Sequence, residues 1–400
     1  MTKLLYYSVF QTYTPPPPPH GAPYKRFRRR TCRRHGGGED GPAGTEYTEY
    51  TGTGSATGRR CAPACREVDA VRRRLAFPAP TEPTRDVTNQ SLRDSNLLAC
   101  SCTGLIALAL GSDVHLWNSE TQSLEGHTHP GPDSPTHTQP GRACWPRRAV
   151  SSLCWSSDGR VLSIGTRQGQ IQLWDVETAR AVGCLWSHLS VVSALSWKQN
   201  ILSSGSVLGH IHHHDPRAPK PLVGAAVQQG SVCSLQWSPG EDRLASGSKD
   251  GRLSIWEGDF AACKLAKLQR QPLVTMKQPS AVKAMGWCPW QRHVIATGGG
   301  WRDGELRIWD TQTASCVNSY PTSSQICSLL WVEERRVLVC GHGLPHHNIS
   351  CWAAEHPDSL GKSHRLEGHT DRVLHLALSP GSASRLFSAG ADDCVHVWTL

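Results

Sequence analysis

Several histidines and an aspartate are crowded into one short segment, and side chains of these types bind metal ions. The segment is His210-Ile211-His212-His213-His214-Asp215, and imidazole and carboxylate groups are common zinc ligands. On a strand, His210, His212 and His214 face one side and His213 the other. No Cys or Glu flanks them at ligand spacing, so the segment favours the end of a strand over a metal site, and no cofactor is expected.

Near the end of the chain, His369, Ser388 and Asp392 combine the residue types of a nucleophilic triad. A serine enzyme of the common hydrolase type also carries a glycine-bracketed serine elbow, and neither that elbow nor a phosphate-binding loop occurs in this chain. We therefore do not expect an enzyme. These side chains belong to one copy of a repeated pattern of short apolar segments, and that pattern predicts the secondary structure that positions them.

Short apolar segments recur along the chain and end at tryptophan. Their intervals are 57, 40, 42, 53, 43 and 46 residues if His214 occupies one tryptophan position, and such periods indicate radially repeated sheets. The segment ends are Trp117, Trp174, His214, Trp256, Trp309, Trp352 and Trp398. The pattern predicts seven copies of one structural unit.

A second apolar segment precedes most of these ends by 17 to 22 residues, which fits three short strands joined by tight turns. Turn formers such as Ser157-Asp158-Gly159 and Lys249-Asp250-Gly251 lie between the segments. The fold class is therefore all-β, a seven-bladed propeller of the WD-repeat kind. The alternative is a two-sheet sandwich.

The last unit has only three strands of its own, because the sequence stops two residues after Trp398. An unpaired outer edge favours aggregation. We therefore expect a strand near Arg85 to Leu92 to complete the last blade. This places the propeller at residues 86–400.

The first 85 residues differ in composition. They hold 15 Lys and Arg against 7 Asp and Glu, whereas the remainder holds 27 against 26. Prolines 15 to 19 and the cluster Lys25 to Arg34 add to this bias, and such a composition predicts a disordered tail over 1–85. The basic cluster fits a nuclear import signal, a nucleic-acid contact or a solvated charge run.

The cysteine pattern and the near-neutral ring limit the localisation and the partners. No CxxC motif occurs among the 16 cysteines, and several, including Cys154, Cys233, Cys327, Cys351 and Cys394, fall in or beside repeat strands. Reduced cysteines indicate an intracellular protein of the cytoplasm, the nucleus or both. Membrane and nucleic-acid partners are not expected for the ring, and a closed ring is expected to be a monomer.

In WD repeats, a buried His, Ser or Thr, Asp and Trp network ties each blade together, and His369, Ser388, Asp392 and Trp398 resemble it. Longer stretches are more specific and resemble the Fizzy family, the cell-division-cycle-twenty type activators of the anaphase-promoting complex. They are LSSGSVLGHIHHHDPR (202–217), AVKAMGWCPWQRHVIATGGGWRDGELRIWD (281–310), SQICSLLW (324–331) and LEGHTDRVLHLALSP (366–380).

The resemblance implies a non-catalytic substrate adaptor that captures destruction-box and KEN-box degrons on the propeller for ubiquitin-dependent proteolysis. The family's KEN-binding positions correspond to Lys249, Gln325 and Arg372. Lys249 replaces an asparagine, so only donors stand where a donor and an acceptor stood. The acidic pair that holds the destruction-box arginine corresponds to Asp86 and Asp393. Solvated turn aspartates are the alternative reading of this pair.

Two ligase-docking elements of the family have no counterpart in this sequence. Residues 1–85 contain no docking box of the Asp-Arg-Phe-Ile-Pro-x-Arg type, and the sequence ends at Thr399-Leu400 rather than Ile-Arg. These departures resemble the divergent B-type branch of the family. Two hypotheses remain: an adaptor and activator of the anaphase-promoting complex, or an interaction scaffold that has lost coupling to the ligase.

Overall fold

A computed structural model describes residues 73–75, 97–121, 123–131, 149–259, 270–356, 359–379 and 385–400. The predicted tail, apart from Arg73–Leu75, lies outside these residues, as does Asp86. No helix within the described ranges is long and apolar enough to cross a membrane.

The regular structure of these residues consists of short strands. The first half of the chain contributes β1 (Arg73–Leu75), β2 (Leu98–Cys100), β3 (Leu105–Leu110), β4 (Asp113–Asn118), β5 (Leu124–Thr128), β6 (Val150–Trp155), β7 (Val161–Thr166), β8 (Gln170–Asp175), β9 (Arg180–Trp186), β10 (Val192–Lys198), β11 (Ile201–Ser206), β12 (His210–His214) and β13 (Leu222–Val227). The second half contributes β14 (Val232–Trp237), β15 (Arg243–Ser248), β16 (Arg252–Glu257), β17 (Val274–Lys277), β18 (Met285–Trp287), β19 (Val294–Gly298), β20 (Glu305–Asp310), β21 (Ser315–Pro321), β22 (Ile326–Val332), β23 (Val337–His342), β24 (Ile349–His356), β25 (Ser359–Leu366), β26 (Val373–Leu378), β27 (Arg385–Gly390) and β28 (Val395–Thr399).

These strands form seven antiparallel sheets of four strands each within the described residues. The sheets are β2 to β5, β6 to β9, β10 to β13, β14 to β17, β18 to β21, β22 to β25, and β26 to β28 with β1. We number them blades 1 to 7. The first strand of each blade contacts the first strand of the next, and β26 of blade 7 contacts β2 of blade 1. The predicted seven-bladed propeller is thus confirmed, with the first strands around the axis.

Ring closure joins the two ends of the described chain. β1 pairs with β28, with Arg73 opposite Val397 and Leu75 opposite Val395. The expected position of this outer strand, near residues 85 to 92, is therefore wrong. An outermost strand needs only backbone hydrogen bonds on one side, and charged residues are common at such edges. The strand was therefore not predicted, because its arginines belong to a segment whose overall composition predicts disorder.

Apolar side chains fill the spaces between neighbouring blades. Phe387 and Val395 of blade 7 pack with Leu98 and Ile106 of blade 1, and Phe387 is 1% exposed. Burying a side chain of this size stabilises the fold by about 1.5–3 kcal/mol. Blade 7 is therefore joined to blade 1 by the same kind of apolar interface that joins the other neighbouring blades.

Strand direction determines which loops lie together. Each first strand leads away from one edge of the ring and the second strand returns, so the turn between strands two and three lies beside the entry to strand one. We call this the upper edge. Register shifts occur at the start of the inner strands at five blades, between Val150/Ser152, Val192/Ala194, Val232/Ser234, Ile326/Ser328 and Val373/His375. A β-bulge changes the direction of the side chains beside it, and bulges are frequent next to functional sites.

Candidate functional site

The side chains with triad chemistry in blade 7 form a buried hydrogen-bond chain. His369 Nδ1 lies 3.0 Å from both Asp392 carboxylate oxygens, and its Nε2 lies 2.7 Å from Ser388 Oγ. Trp398 donates its indole N–H to the same hydroxyl at 2.8 Å. Ser388 is fully buried, so a substrate carbonyl has no access to its oxygen. The arrangement links three segments of blade 7 instead of exposing a nucleophile.

Asp392 is the anchor of this chain at the upper edge. It accepts hydrogen bonds from the backbone N–H groups of Thr370 at 2.9 Å and Cys394 at 3.2 Å. Burial acts to raise its pKa, but these bonds and the His369 imidazole outweigh burial and hold the pKa below its ordinary value. The carboxylate therefore stabilises the blade and is not available to a ligand.

Other blades repeat the pattern with different side chains. In blade 4, Trp256 donates to Ser246 at 2.8 Å and Ser246 donates to Gln228 at 2.6 Å. In blade 5, Trp309 donates to Thr297 at 2.7 Å and Thr297 donates to Gln278 at 2.8 Å. The shared geometry requires an indole, a hydroxyl and a third polar group, and glutamine can take the place of histidine as the partner of the hydroxyl.

The histidine-rich segment forms the third strand of blade 3. His214 lies opposite Leu202, as Trp398 lies opposite Leu386, so it occupies the tryptophan position. His212 stacks on His188 with centroids 4.4 Å apart. Burial lowers the pKa of His188 to about 3 and that of His214 to about 4. Among the described residues, no group of three or more His, Cys, Asp or Glu is arranged to hold a metal ion.

Four of the five degron-binding residues predicted from the resemblance belong to the upper edge. Lys249 and Asp393 lie in turns between second and third strands, whereas Gln325 and Arg372 lie at the entries to β22 and β26. The fifth, Asp86, is outside the described residues. The topology thus collects residues from blades 4, 6 and 7 on one edge of the ring.

Gln325 and Arg372 are coupled through the turn that begins at Gly343. The Gly343 N–H donates to the Gln325 carbonyl at 2.8 Å. Ser324 Oγ donates to the carbonyls of Gly343 and Leu344, both at 3.0 Å. A β-carbon on Gly343 would lie 3.2 Å from Cγ of Arg372. The missing side chain therefore lets the Arg372 stem lie against the turn that holds Gln325.

Arg372 also has an acidic neighbour. Its Nε lies 3.8 Å from Asp371 Oδ1, and the Arg372 side chain is 13% exposed whereas that of Asp371 is 48% exposed. Its carbonyl accepts a hydrogen bond from the Ala391 N–H at 2.8 Å. The Arg372 segment is therefore attached to the turn that carries Asp393.

Asp393 presents a carboxylate at this turn. It is exposed, and its φ of 57° places it in the left-handed region, which Asn and Asp tolerate better than most residues. Its neighbour Asp392 faces inward to His369. The two adjacent aspartates thus have different tasks: one ties the blade together and the other faces solvent.

Lys249 is exposed at the upper edge of blade 4. Its backbone N–H donates to the Ser231 carbonyl at 3.0 Å, which fixes the turn beside the entry to β14. Asp250 next to it pairs with Arg252 at 2.8 Å. The ammonium group therefore extends from a rigid turn whose carboxylate already has a partner.

Sequence reasoning missed Gly343 and Asp371. Gly343 is one of many turn glycines in the sequence, and its close approach to Arg372 depends on the contact between blades 6 and 7. Asp371 directly precedes Arg372, so its position was visible in the sequence, but its ionic contact was not.

Comparisons with known proteins identify a family and several relatives of this chain. The family model described as the CDC20/Fizzy WD40 domain matches residues 93–398. The Arabidopsis thaliana protein "Cell division cycle 20.4, cofactor of APC complex" is 34% identical, and the match covers 81% of this chain and 71% of that protein. The Dictyostelium discoideum "Anaphase-promoting complex subunit cdc20" is 35% identical, with coverage of 80% and 61%.

Two further similarities concern a yeast relative and a solved structure. The Schizosaccharomyces pombe "WD repeat-containing protein srw1" is 33% identical over 76% of this chain and 50% of its own length. One chain of a crystal structure of the mitotic checkpoint complex superposes with a TM-score of 0.71 at 30% identity, covering 88% of this chain and 99% of that chain. Together with the seven blades described above, these matches show that the chain belongs to the CDC20/Fizzy family of WD40 proteins.

Proposed function

We propose that this protein is a non-catalytic substrate adaptor and activator of the anaphase-promoting complex, and that it binds degron peptides at the upper edge of its propeller. The observation that carries this proposal is the conjunction of Gln325, Arg372 and Asp393 on hydrogen-bonded neighbouring segments of a CDC20/Fizzy ring. Relatives that match most of this chain are named as cofactors or subunits of that complex. The result would be ubiquitin-dependent proteolysis of bound substrates in the cell cycle.

Asp393 is assigned to the arginine of a destruction box. An exposed carboxylate on a fixed turn is preorganised to accept charge-assisted hydrogen bonds from a guanidinium. Asp392 does not compete for that role, because its oxygens already accept bonds from His369, Thr370 and Cys394. Asp86, which the resemblance pairs with Asp393, lies outside the described residues and stays a prediction.

Gln325 and Arg372 are assigned to a second polar motif of the peptide. The amide of Gln325 can both donate and accept, whereas Arg372 only donates. Lys249, the third position, offers a cation in place of the family's amide. Because the Lys249 ammonium only donates, the peptide group that it binds must be a hydrogen-bond acceptor, and a carboxylate suits it better than an amide that also needs an acceptor.

The alternative, a scaffold uncoupled from the ligase, is not supported by any feature of the described ring. The naming of the relatives as ligase cofactors supports the adaptor instead. The compartment, cytoplasm or nucleus, and the monomeric state stay predictions.

The test combines peptide binding with capture of the ligase. Asp393→Lys is expected to abolish binding of an arginine-bearing destruction-box peptide while leaving the ring folded, with only a small loss of stability because lysine tolerates the left-handed φ less well than aspartate. Glu177→Lys, an equal charge reversal at an exposed turn on the opposite edge, is the matched control and should bind normally. Unchanged affinity of the Asp393 variant would refute the site.

Capture of anaphase-promoting complex subunits from dividing-cell extract by the tagged full chain tests the coupling. Failure to retain those subunits, by a chain that still binds the peptide, would refute the activator role and leave the peptide site standing.

A further inference from the structure

Three exposed cations lie on adjoining segments of blades 4 and 5 at the upper edge. They are Lys249, Lys277 and Arg302, and Trp301 beside Arg302 is 65% exposed. We call these four residues the cationic patch. Lys249 is the only one of them that the sequence predicts as a binding residue.

Hydrogen bonds between the three segments hold the patch together. The Gln278 N–H, next to Lys277, donates to the Gly251 carbonyl of the Lys249 turn at 2.9 Å. The Gly300 N–H, next to Trp301, donates at 2.7 Å to Ser280 Oγ, which lies in the same loop as Gln278. The cations therefore project from one connected backbone surface and not from independent loops.

The carboxylates beside the patch already have partners. Asp250 Oδ2 lies 2.8 Å from Arg252 Nη1. Arg307 binds Asp303 at 2.6 Å and Glu305 at 2.7 Å, and Arg307 is 10% exposed. In the part of the chain that the structure describes, none of the three patch cations forms an ion pair with a carboxylate. The local positive charge is left for an external anion.

Folding stability does not account for this arrangement. Lys277 lies directly opposite Arg252 across the β16 and β17 ladder, and like charges in that position destabilise a sheet. Trp301 gains little from packing, since most of its surface faces solvent. Its turn is nevertheless fixed, because Asp303 also accepts a hydrogen bond from Ser280 Oγ at 2.9 Å. A rigid turn that presents an indole among cations is suited to a ligand.

Blade 7 carries negative charge at the upper edge, opposite in sign to the cationic patch of blades 4 and 5. Blade 7 presents the exposed carboxylate of Asp393 at the same upper edge, whereas Asp371 faces Arg372. The described cations of blades 4 and 5 lie on the other side of Gln325, so a peptide lying along this edge meets an acidic group at one end and basic groups at the other. Such polarity selects the direction of a bound chain and its charge distribution.

We propose that the cationic patch binds an acidic stretch of the degron peptide, composed of Asp, Glu or phosphorylated residues, in the same ligand whose arginine is held at Asp393. This inference rests on the proposed function and specifies its substrate class. Trp301 would contact an apolar side chain or backbone within that stretch. Substrates with neutral sequence beside the arginine-bearing box would bind more weakly.

The experiment uses the full chain and fluorescent peptides that share one arginine-bearing box. One peptide is flanked by four glutamines, and two carry four glutamates before or after the box. We expect one of the acidic peptides to bind about tenfold more tightly at low salt, as expected for a few exposed ion pairs acting together. The advantage should shrink as salt screens the charges.

Variants locate the effect. Lys277→Gln combined with Arg302→Gln, which leaves the predicted binding residue Lys249 in place, should remove most of the acidic advantage and leave the affinity for the neutral peptide unchanged. Lys220→Gln, at an exposed turn on the opposite edge, should change neither. Equal melting temperatures of the variants and the parent would exclude misfolding as the cause.

The outcomes separate this inference from the function beneath it. Binding of the neutral peptide with no acidic advantage would overturn the patch proposal and leave the proposed function intact. No binding of any peptide would overturn both. Displacement of the acidic peptide by a single-stranded oligonucleotide as effectively as by unlabelled acidic peptide would identify a general polyanion surface and overturn the patch proposal.

Discussion

Replacing Ser388 by alanine tests whether the buried chain in blade 7 supports the ring. The hydroxyl is fully buried, accepts the Trp398 indole N–H at 2.8 Å and lies 2.7 Å from His369 Nε2. The substitution removes one oxygen and leaves two buried polar groups without that partner. Each such group costs about 1–3 kcal/mol, so we expect a loss of about 3 kcal/mol in the free energy of unfolding.

This loss corresponds to a measurable shift. With an entropy of unfolding of about 2 cal/mol/K per residue, a ring of about 300 residues should melt about 5 °C lower. Differential scanning calorimetry of the full chain measures it. A shift within about 1 °C of the parent would refute the reasoning, because the orphaned groups would then carry no penalty.

Ser388→Thr is the matched control, because blade 5 has Thr297 at the equivalent position and that hydroxyl accepts from Trp309 at 2.7 Å. It should retain the hydrogen bonds and most of the stability. A threonine variant as unstable as the alanine variant would assign the effect to packing and contradict the hydrogen-bond explanation.

Three further predictions concern pH, the upper edge and ring closure. Burial lowers the pKa of His188 to about 3, so below pH 6.5 the unfolded chain binds a proton that the folded ring does not. His188→Gln introduces the side chain that blade 4 has at Gln228. In urea titrations this variant should have a free energy of unfolding about 2 kcal/mol higher than the parent at pH 5 and equal to the parent at pH 8. Gly343→Val should displace Arg372 and weaken peptide binding severalfold by fluorescence anisotropy, whereas Gly126→Val, where a β-carbon has no neighbour within 4 Å, should not. Removal of residues 1–80, which deletes β1, should lower the melting temperature and promote aggregation measured by light scattering, whereas removal of residues 1–62 should do neither.

Each of these has a result that would contradict it. The pH prediction fails if His188→Gln has the same acid sensitivity as the parent. The Gly343 prediction fails if binding is unchanged although the variant is folded. Equal stability of the two truncated chains would mean that β1 contributes nothing to closure.

Repeated short segments and their turns were enough to predict seven blades, since each blade is a local unit whose strands are neighbours in sequence. The same argument identified His214 as a tryptophan substitute, and its pairing with Leu202 confirms this position. The position of the closing strand was not predictable in this way. An edge strand of three residues has too weak a pattern, and its partner β28 lies at the other end of the chain.

The sequence by itself determined the propeller, the repeat positions and, through the family resemblance, which residues to consider for peptide binding. Only the tertiary structure decided what those residues do together. It separated Asp392, which is committed to His369, from exposed Asp393, and it joined Gln325 to Arg372 through Gly343. It also assembled the cationic patch from residues up to 53 positions apart. The reason is physical: strand patterns are local, whereas burial, ion pairing and shared surfaces arise only when distant blades meet.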